Sequence, residues 1–481
     1  MGRRRGGEAS VTPPVNADLP VGFQVQIDPR CVRRGDLRNL VGGSPLRVLK
    51  LSDAALGMTS ADGRIEVSDA GTRSLARTLL DAGIAHPRPM AGPKECEVTV
   101  VIPVRDNQAG VDRLVEALPG LRVIVVDDAS SRPMTVPDDE RLRVIRLEVN
   151  AGPAAARNAG FDAADTEFVA FLDSDTRPCG EWLTMLLSHF SDPAVAIVAP
   201  RIVGLGDTAG RDGRTPVAAY ANRYSSLDMG PNEGPVRPGT PIAYVPSAAM
   251  VVRRAAFARF DESLRVAEDV DLCWRTHAAG WVVRYDPVAH VAHDHRQSLR
   301  AMLDRRRFYG TGAAELASRH DRLAAPVMTS IPLAVAVVSL LTRTRIGLGV
   351  AMLVSGWIFG RIRKPLAGVP ARDLIAARNV GRALGYGVLQ IWSAALRHYW
   401  PLSLLGLVVS SRFRRWFLEA AVAEAAVMWL RSRIAEPSSP MVEPVGYSVI
   451  RRLDDFAYGL GLWQGAVTNR DWSALRPVVT R

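Results

Sequence analysis

The chain has 481 residues, more than one ordinary domain holds, and 48% of them are apolar, which excludes a wholly disordered protein and allows large cores. Its 60 Lys and Arg against 49 Asp and Glu leave a net charge of +11, a balance that suits nucleic acid, anionic lipid or a phosphate-bearing substrate without choosing among them. Four scattered cysteines (Cys31, Cys96, Cys179 and Cys273) argue against a zinc or disulfide framework and suit a reducing compartment. Arg3, Arg4 and Arg5 have no apolar run behind them, so no secretory signal is expected.

Residues 1–18, rich in Gly, Arg and Pro, read as a disordered basic tail. Residues 19–90 read as a small α+β, winged-helix-like domain. Phe23, Val25 and Ile27 alternate as in a strand, and Asp62-Gly63 signals a hairpin. Ser52-Asp53 and Ser68-Asp69 supply helix caps, the second before Leu75, Leu79 and Leu80. A Pro- and Gly-rich linker spans 86–93.

Residues 95–320 alternate apolar runs with helical patterns. Val98–Val104, Arg122–Asp127, Arg143–Leu147, Phe168–Leu172 and Ala194–Ala199 read as strands buried on both faces, with helices at Val111–Leu118 and Pro153–Ala163 between them. The pattern predicts a doubly wound parallel α/β sheet whose ligands sit beyond the carboxyl ends of the strands.

Residues 321–481 are apolar and helical. The stretch 323–341 carries no charge and is long enough in principle to span a bilayer at ~1.5 Å per residue, although Pro326 and Pro332 interrupt it. Further apolar stretches lie at 346–360, 384–396 and 399–410, and Trp416–Leu430 is amphipathic. Arg361-Ile-Arg-Lys364, Arg412-Phe-Arg-Arg415 and Arg431-Ser-Arg433 flank them. Apolar helices edged by cations suit an anionic membrane surface; the alternative is a buried helical domain.

Polar groups gather at the ends of the predicted strands. Asp127-Asp128-Ala-Ser130 could accept hydrogen bonds from a base or ribose, or simply start a loop. Arg157, within Asn150–Gly160, offers a fork matched to phosphate, or is a surface residue at a helix start. Two carboxylates at Asp173-Ser174-Asp175 are costly to hold together without a cation, and hard Mg²⁺ or Mn²⁺ takes such oxygen ligands along with substrate phosphates; a capped turn is the alternative. Glu268 and Asp269 sit at a helix start, where the macrodipole favours acids, and either could face an acceptor hydroxyl as a base. His290, His293 and His295 offer a further metal ligand.

In this order the motifs resemble family 2 glycosyltransferases of the GT-A fold over about 96–300. The likeness rests on Val100–Val104, Val126–Ser130, Asn150–Gly160, Asp173–Asp175, Ala248–Phe257, Phe260–Glu262 and Glu268–Asp271. It implies a nucleotide-sugar donor, with Asp127, Asp128, Arg157 and Asp173 on the donor side. It further implies a divalent metal (Mg or Mn) held by Asp173, Asp175 and His293 or His295, and Asp269 as the catalytic base. Processive relatives carry Gln-x-x-Arg-Trp; here Gln297-Ser-Leu-Arg300 precedes Ala301, so a synthase with a secretion channel is not expected.

The whole architecture is similar to that of the mycofactocin-system glycosyltransferases, through Leu19-Pro-Val-Gly-Phe23, Leu51-Ser52 and the domain order. That implies glucose from UDP-glucose, β-1,4-linked on a peptide-derived redox cofactor, precursor-peptide binding by 19–90, and a catalytic domain facing the cytoplasm at the cell membrane. A lipid or cell-wall glycan acceptor is the alternative. A nucleic-acid binder or membrane scaffold with a degenerate transferase fold is the reading of another class; with the acidic set present, no nucleic acid is expected.

Overall fold

The computed structural model describes residues 18–33, 36–43, 45–89, 91–205, 215–295, 298–437 and 442–480. The tail up to residue 17 and Gln297 lie outside the described residues. The chain divides into two compact units: the described residues up to 205 with 224–294, and 215–223 with those from 295 onward.

Within the first unit, residues 19–87 build around strand β1 (Gln24–Ile27). Its alternate residues Val25 and Ile27 are fully buried, as the period-2 pattern requires. Short strands β2 (Val32–Arg33), β3 (Asp36–Gly42) and β4 (Arg47–Lys50) form one antiparallel sheet; β5 (Arg64–Glu66) and β6 (Ala85–Pro87) flank β1 in another. Ser52 caps the helix Asp53–Gly57, and Asp69 caps Ala70–Asp81 through a capping box in which the Thr72 amide donates to Asp69 at 2.8 Å. The latter helix buries Ala76, Leu79 and Leu80 against Phe23, Val25 and Ile84.

The large sheet of this unit comprises β7 (Val98–Val104), β8 (Arg122–Asp127), β9 (Leu142–Arg146), β10 (Phe168–Leu172), β11 (Thr176–Cys179), β12 (Val195–Gly204), β13 (Gly234–Pro235), β14 (Ala249–Arg253) and β15 (Val282–His293). Its order is β11-β15-β12-β14-β10-β7-β8-β9, with β13 on β15. Every residue of β7 and β10 is buried, each large apolar side chain contributing ~1.5–3 kcal/mol. The parallel run expected from the apolar strands holds for β10, β7, β8 and β9. It stops at β14, which runs antiparallel between β10 and β12, so the sheet is mixed. Because β14 is reversed, its start lies at the sheet edge where β7, β8 and β10 end.

The second unit is helical: Pro216–Arg223, Leu299–His320, Ile331–Leu341, Arg345–Arg363, Arg372–Ser393, Trp400–Val409, Ser411–Ala435 and Pro444–Asn469. Leu299–His320 and Pro444–Asn469 pack backbone to backbone; a Cβ on Gly461 would lie 1.8 Å from the Arg307 carbonyl oxygen. The uncharged stretch 323–341 is not one continuous span. Met328–Ser330 forms a strand paired with Val478–Thr480, and the helix that follows, with Pro332 in its first turn, is only the 11 residues Ile331–Leu341. Among the described residues one helix, Arg345–Arg363, is long and apolar enough to cross a membrane, with mean hydropathy 1.3.

Candidate active site

The carboxyl ends of β7, β8 and β10, the start of β14 and the end of β15 bring the candidate residues together. Asp127 closes β8 fully buried. One of its oxygens accepts the Ser130 amide at 2.8 Å, the other the Met134 amide at 3.2 Å and Arg146 at 2.5 Å. Burial alone would raise this carboxyl, but those donors hold it below the ordinary range. Asp128 accepts the amides of Ala151 and Gly152 at 2.7 and 2.9 Å. Both acids therefore brace the loops that follow β8 and β9. Gly152, at φ +93°, stands where a side chain would be strained and opens the helix Pro153–Ala163.

Arg157, on that helix, is only 3% exposed. Its fork donates to Asp173 at 2.5 Å and to Glu268 at 3.0 Å, and it lies over the Phe260 ring. Burial opposes its charge, yet the two carboxylates raise its pKa above the ordinary value. The next residue, Asn158, donates through its side-chain amide to the Phe260 carbonyl and to Glu262, and accepts the Phe260 amide. Segments a hundred residues apart in sequence are thus fixed as one wall.

Asp173 ends β10 with its amide on the Ala248 carbonyl at 3.0 Å. Asn107 donates to Ser174. Asp175 faces His293, carboxylate oxygen to Nε2 at 3.3 Å, because β11 and β15 pair Thr176 with His293. His295 belongs to the second unit. An imidazole and a carboxylate, with Asp173 two residues away, suit a hard divalent ion. Among the described residues no three such side chains converge into a complete cage, so phosphate oxygens and water would have to complete the shell.

Asp269 lies half-buried in the first turn of the helix Glu268–Ala278. Ala267 precedes it at φ +64°, a left-handed conformation that costs a residue with a side chain ~1 kcal/mol or more. Its oxygens accept only backbone amides, of Val270 at 2.8 Å and Ser247 at 3.3 Å. Among the described residues it has no ion-pair partner. Desolvation first, then the Glu268 charge, push its carboxyl up to about 7. A carboxylate poised there can take a proton near neutral pH.

Sequence reasoning singled out Asp127, Asp128, Arg157, Asp173, Asp175, Asp269 and His293. It passed over Ser247, Asn107 and Arg146, and saw no partner for Glu268. Ser247 adjoins the quoted Ala248–Phe257 segment, which was its only signal.

Residues 99–259 match the profile of glycosyl transferase family 2. The chain is 46% identical over 469 residues to a pre-mycofactocin glycosyltransferase of Mycobacterium tuberculosis, covering 96% of this chain and 98% of that one. It is 28% identical over 222 residues to the succinoglycan biosynthesis protein ExoO of Rhizobium meliloti, covering 42% and 61%. A solved mannosyltransferase of Pyrobaculum calidifontis with GDP-Man and Mn²⁺ is 15% identical over 71% of this chain and 90% of that one, with a TM-score of 0.34, too slight a likeness to carry weight. Near-complete coverage by a named transferase, together with the profile across the mixed sheet, settles the kinship: the chain belongs to the family 2 glycosyltransferases.

Proposed function

We propose that the chain is a metal-dependent inverting hexosyltransferase. It moves glucose from UDP-glucose to a peptide-derived acceptor of the mycofactocin type and extends it through β-1,4 links. The acceptor reading is supported by the name of the relative that matches nearly the whole chain. The mechanistic reading is carried by one observation: of the two adjacent acids, Glu268 is neutralised by Arg157 and Asp269 is left with backbone donors alone.

In this reading Asp269 accepts the proton of the acceptor hydroxyl. The acceptor oxygen bonds to the anomeric carbon from the face opposite the donor diphosphate, and the carbon–oxygen bond to the diphosphate breaks with its electron pair leaving on UDP. Arg157 holds Asp173 in place beside that leaving group. Asp173, Asp175 and His293 would hold a divalent cation, which when bound supplies charge neutralisation to the diphosphate.

We further propose a membrane-surface location with the catalytic unit facing the cytoplasm; the second unit supports the surface part of that reading. Ile346, Leu353, Val408 and Val409 are 78% to 83% exposed; Arg361 and Arg363 end the helix that carries Ile346 and Leu353, and Arg412, Arg414 and Arg415 open the helix that follows the one carrying Val408 and Val409. Flotation on vesicles with and without anionic lipid tests this; equal recovery with zwitterionic vesicles alone or with none contradicts it. The acidic set is intact and mutually ordered, which weighs against a degenerate site in a nucleic-acid binder or scaffold.

A donor panel with purified protein, Mn²⁺ or Mg²⁺ and peptide-derived acceptors, read by mass, tests the function. The expected result is hexose addition from UDP-glucose in steps, abolished by chelator. Transfer only to a lipid or glycan acceptor would replace the acceptor assignment.

A further inference from the structure

Residues 19–90 meet the catalytic sheet through ion pairs inside the first unit. Arg77 donates to both oxygens of Asp192, at 2.7 and 3.1 Å. Arg88 donates to both oxygens of Glu233, at 2.6 and 2.9 Å. Arg237 donates to the Asp81 carbonyl at 2.8 Å. Between these contacts lies a cavity of about 20 Å³, lined by Arg77, Asp81, His189, Asp192, Arg237 and Arg284 among others. That volume admits one occupant the size of a water molecule.

Three arginines line the cavity against two carboxylates. The acids whose charge reaches Arg284 each have another partner at contact: Glu233 has Arg88, Asp192 has Arg77, and Asp286 has His189 at 2.8 Å. Burial pushes the Asp81 carboxyl up, which weakens it as a counter-ion. Arg284, on β15, is 3% exposed, and its Nε and one Nη have no hydrogen-bond partner; the Nδ1 of His189 has none either. Desolvation brings the Arg284 guanidinium down to about 10. A buried guanidinium with unmet donors costs several kcal/mol unless something accepts from it.

We infer that this cavity is a binding site for a single small monovalent anion, of halide size, which accepts from Arg284 and ties residues 19–90 to the catalytic sheet. A water molecule fits the volume but brings no negative charge to the lining guanidiniums. The site lies outside the set of residues assigned to transfer.

The test has two arms on the full-length protein. Thermal unfolding is followed while chloride or bromide replaces gluconate at constant ionic strength. The expected result is a rise in Tm of roughly 2–4 °C at a hundredfold excess over Kd, absent in Arg284→Met. A rise that persists in Arg284→Met, or none in the native chain, overturns the site. Should Arg284→Met fail to fold, crystals of the native protein grown in bromide decide: an anomalous peak within hydrogen-bond distance of Arg284 supports it. Water or nothing at that place overturns it whatever the melting data show.

Discussion

Two groups of buried acids divide the molecule's charged chemistry. In the helical unit Glu424, 1% exposed, lies between Arg451 and Arg452, and hydrogen bonds and charge from both hold it below its ordinary pKa although burial opposes this. Asp454 pairs with Arg306 at 2.6 Å, and Asp455 with Arg452 at 3.1 Å. In the catalytic unit Glu268 is paired in the same manner with Arg157, but Asp269 beside it is not. The contrast separates acids that hold a fold from an acid that can move a proton. Where two guanidiniums stand at contact, as at Glu424, the carboxylate is held in its charged form against burial. Where only amides stand, burial lifts the pKa into the range in which a base works.

Asp269→Asn breaks the contrast most severely. Transfer should fall by about a thousandfold, within the usual span for a lost general base, while nucleotide-sugar affinity by calorimetry stays within a fewfold of native. A comparable loss of donor affinity would move Asp269 to the donor side. Its unfolding temperature should not drop, because the substitution removes a carboxylate that burial disfavours.

Glu424→Ala should do the reverse. It strands two buried arginines and costs about 3–5 kcal/mol of stability, read by urea unfolding. Loss of turnover in protein that remains folded would show that the helical unit's acids are more than structural.

Asp175→Ala should weaken Mn²⁺-dependent donor binding by about a hundredfold, and chelator should weaken the native protein to the same level. Equal donor affinity with and without metal would remove the cation from the account. The smallest change in the pH profile belongs to Arg157→Gln, read at a temperature where the variant stays folded. Freed of its cation, the Glu268 charge should shift the pH–rate midpoint upward by about one unit.

Much of this was legible in the chain. The continuous apolar runs of β7, β8 and β10 announced buried strands, and their acidic ends announced a site, because parallel strands release their side chains at one edge. The antiparallel course of β14 was not legible, since an apolar run carries no direction. Nor was the unequal fate of Glu268 and Asp269: the guanidinium that separates them is 111 residues away from Glu268 in sequence. His293 and His295 share a period-2 face on paper; β15 ends at His293, whose imidazole stands at Asp175. The strand that interrupts 323–341 pairs with residues at the far end of the chain, beyond the reach of any local pattern.

The central claim is that burial without a paired cation makes Asp269 the acceptor-side base. The pH dependence of kcat at saturating donor and acceptor tests it most directly. The account requires a tenfold rise per unit at low pH, a bend at about 7 and a plateau above, with the bend missing from the residual activity of Asp269→Asn. A rate that is flat between about pH 5 and 9, or the same bend in Asp269→Asn, would contradict it.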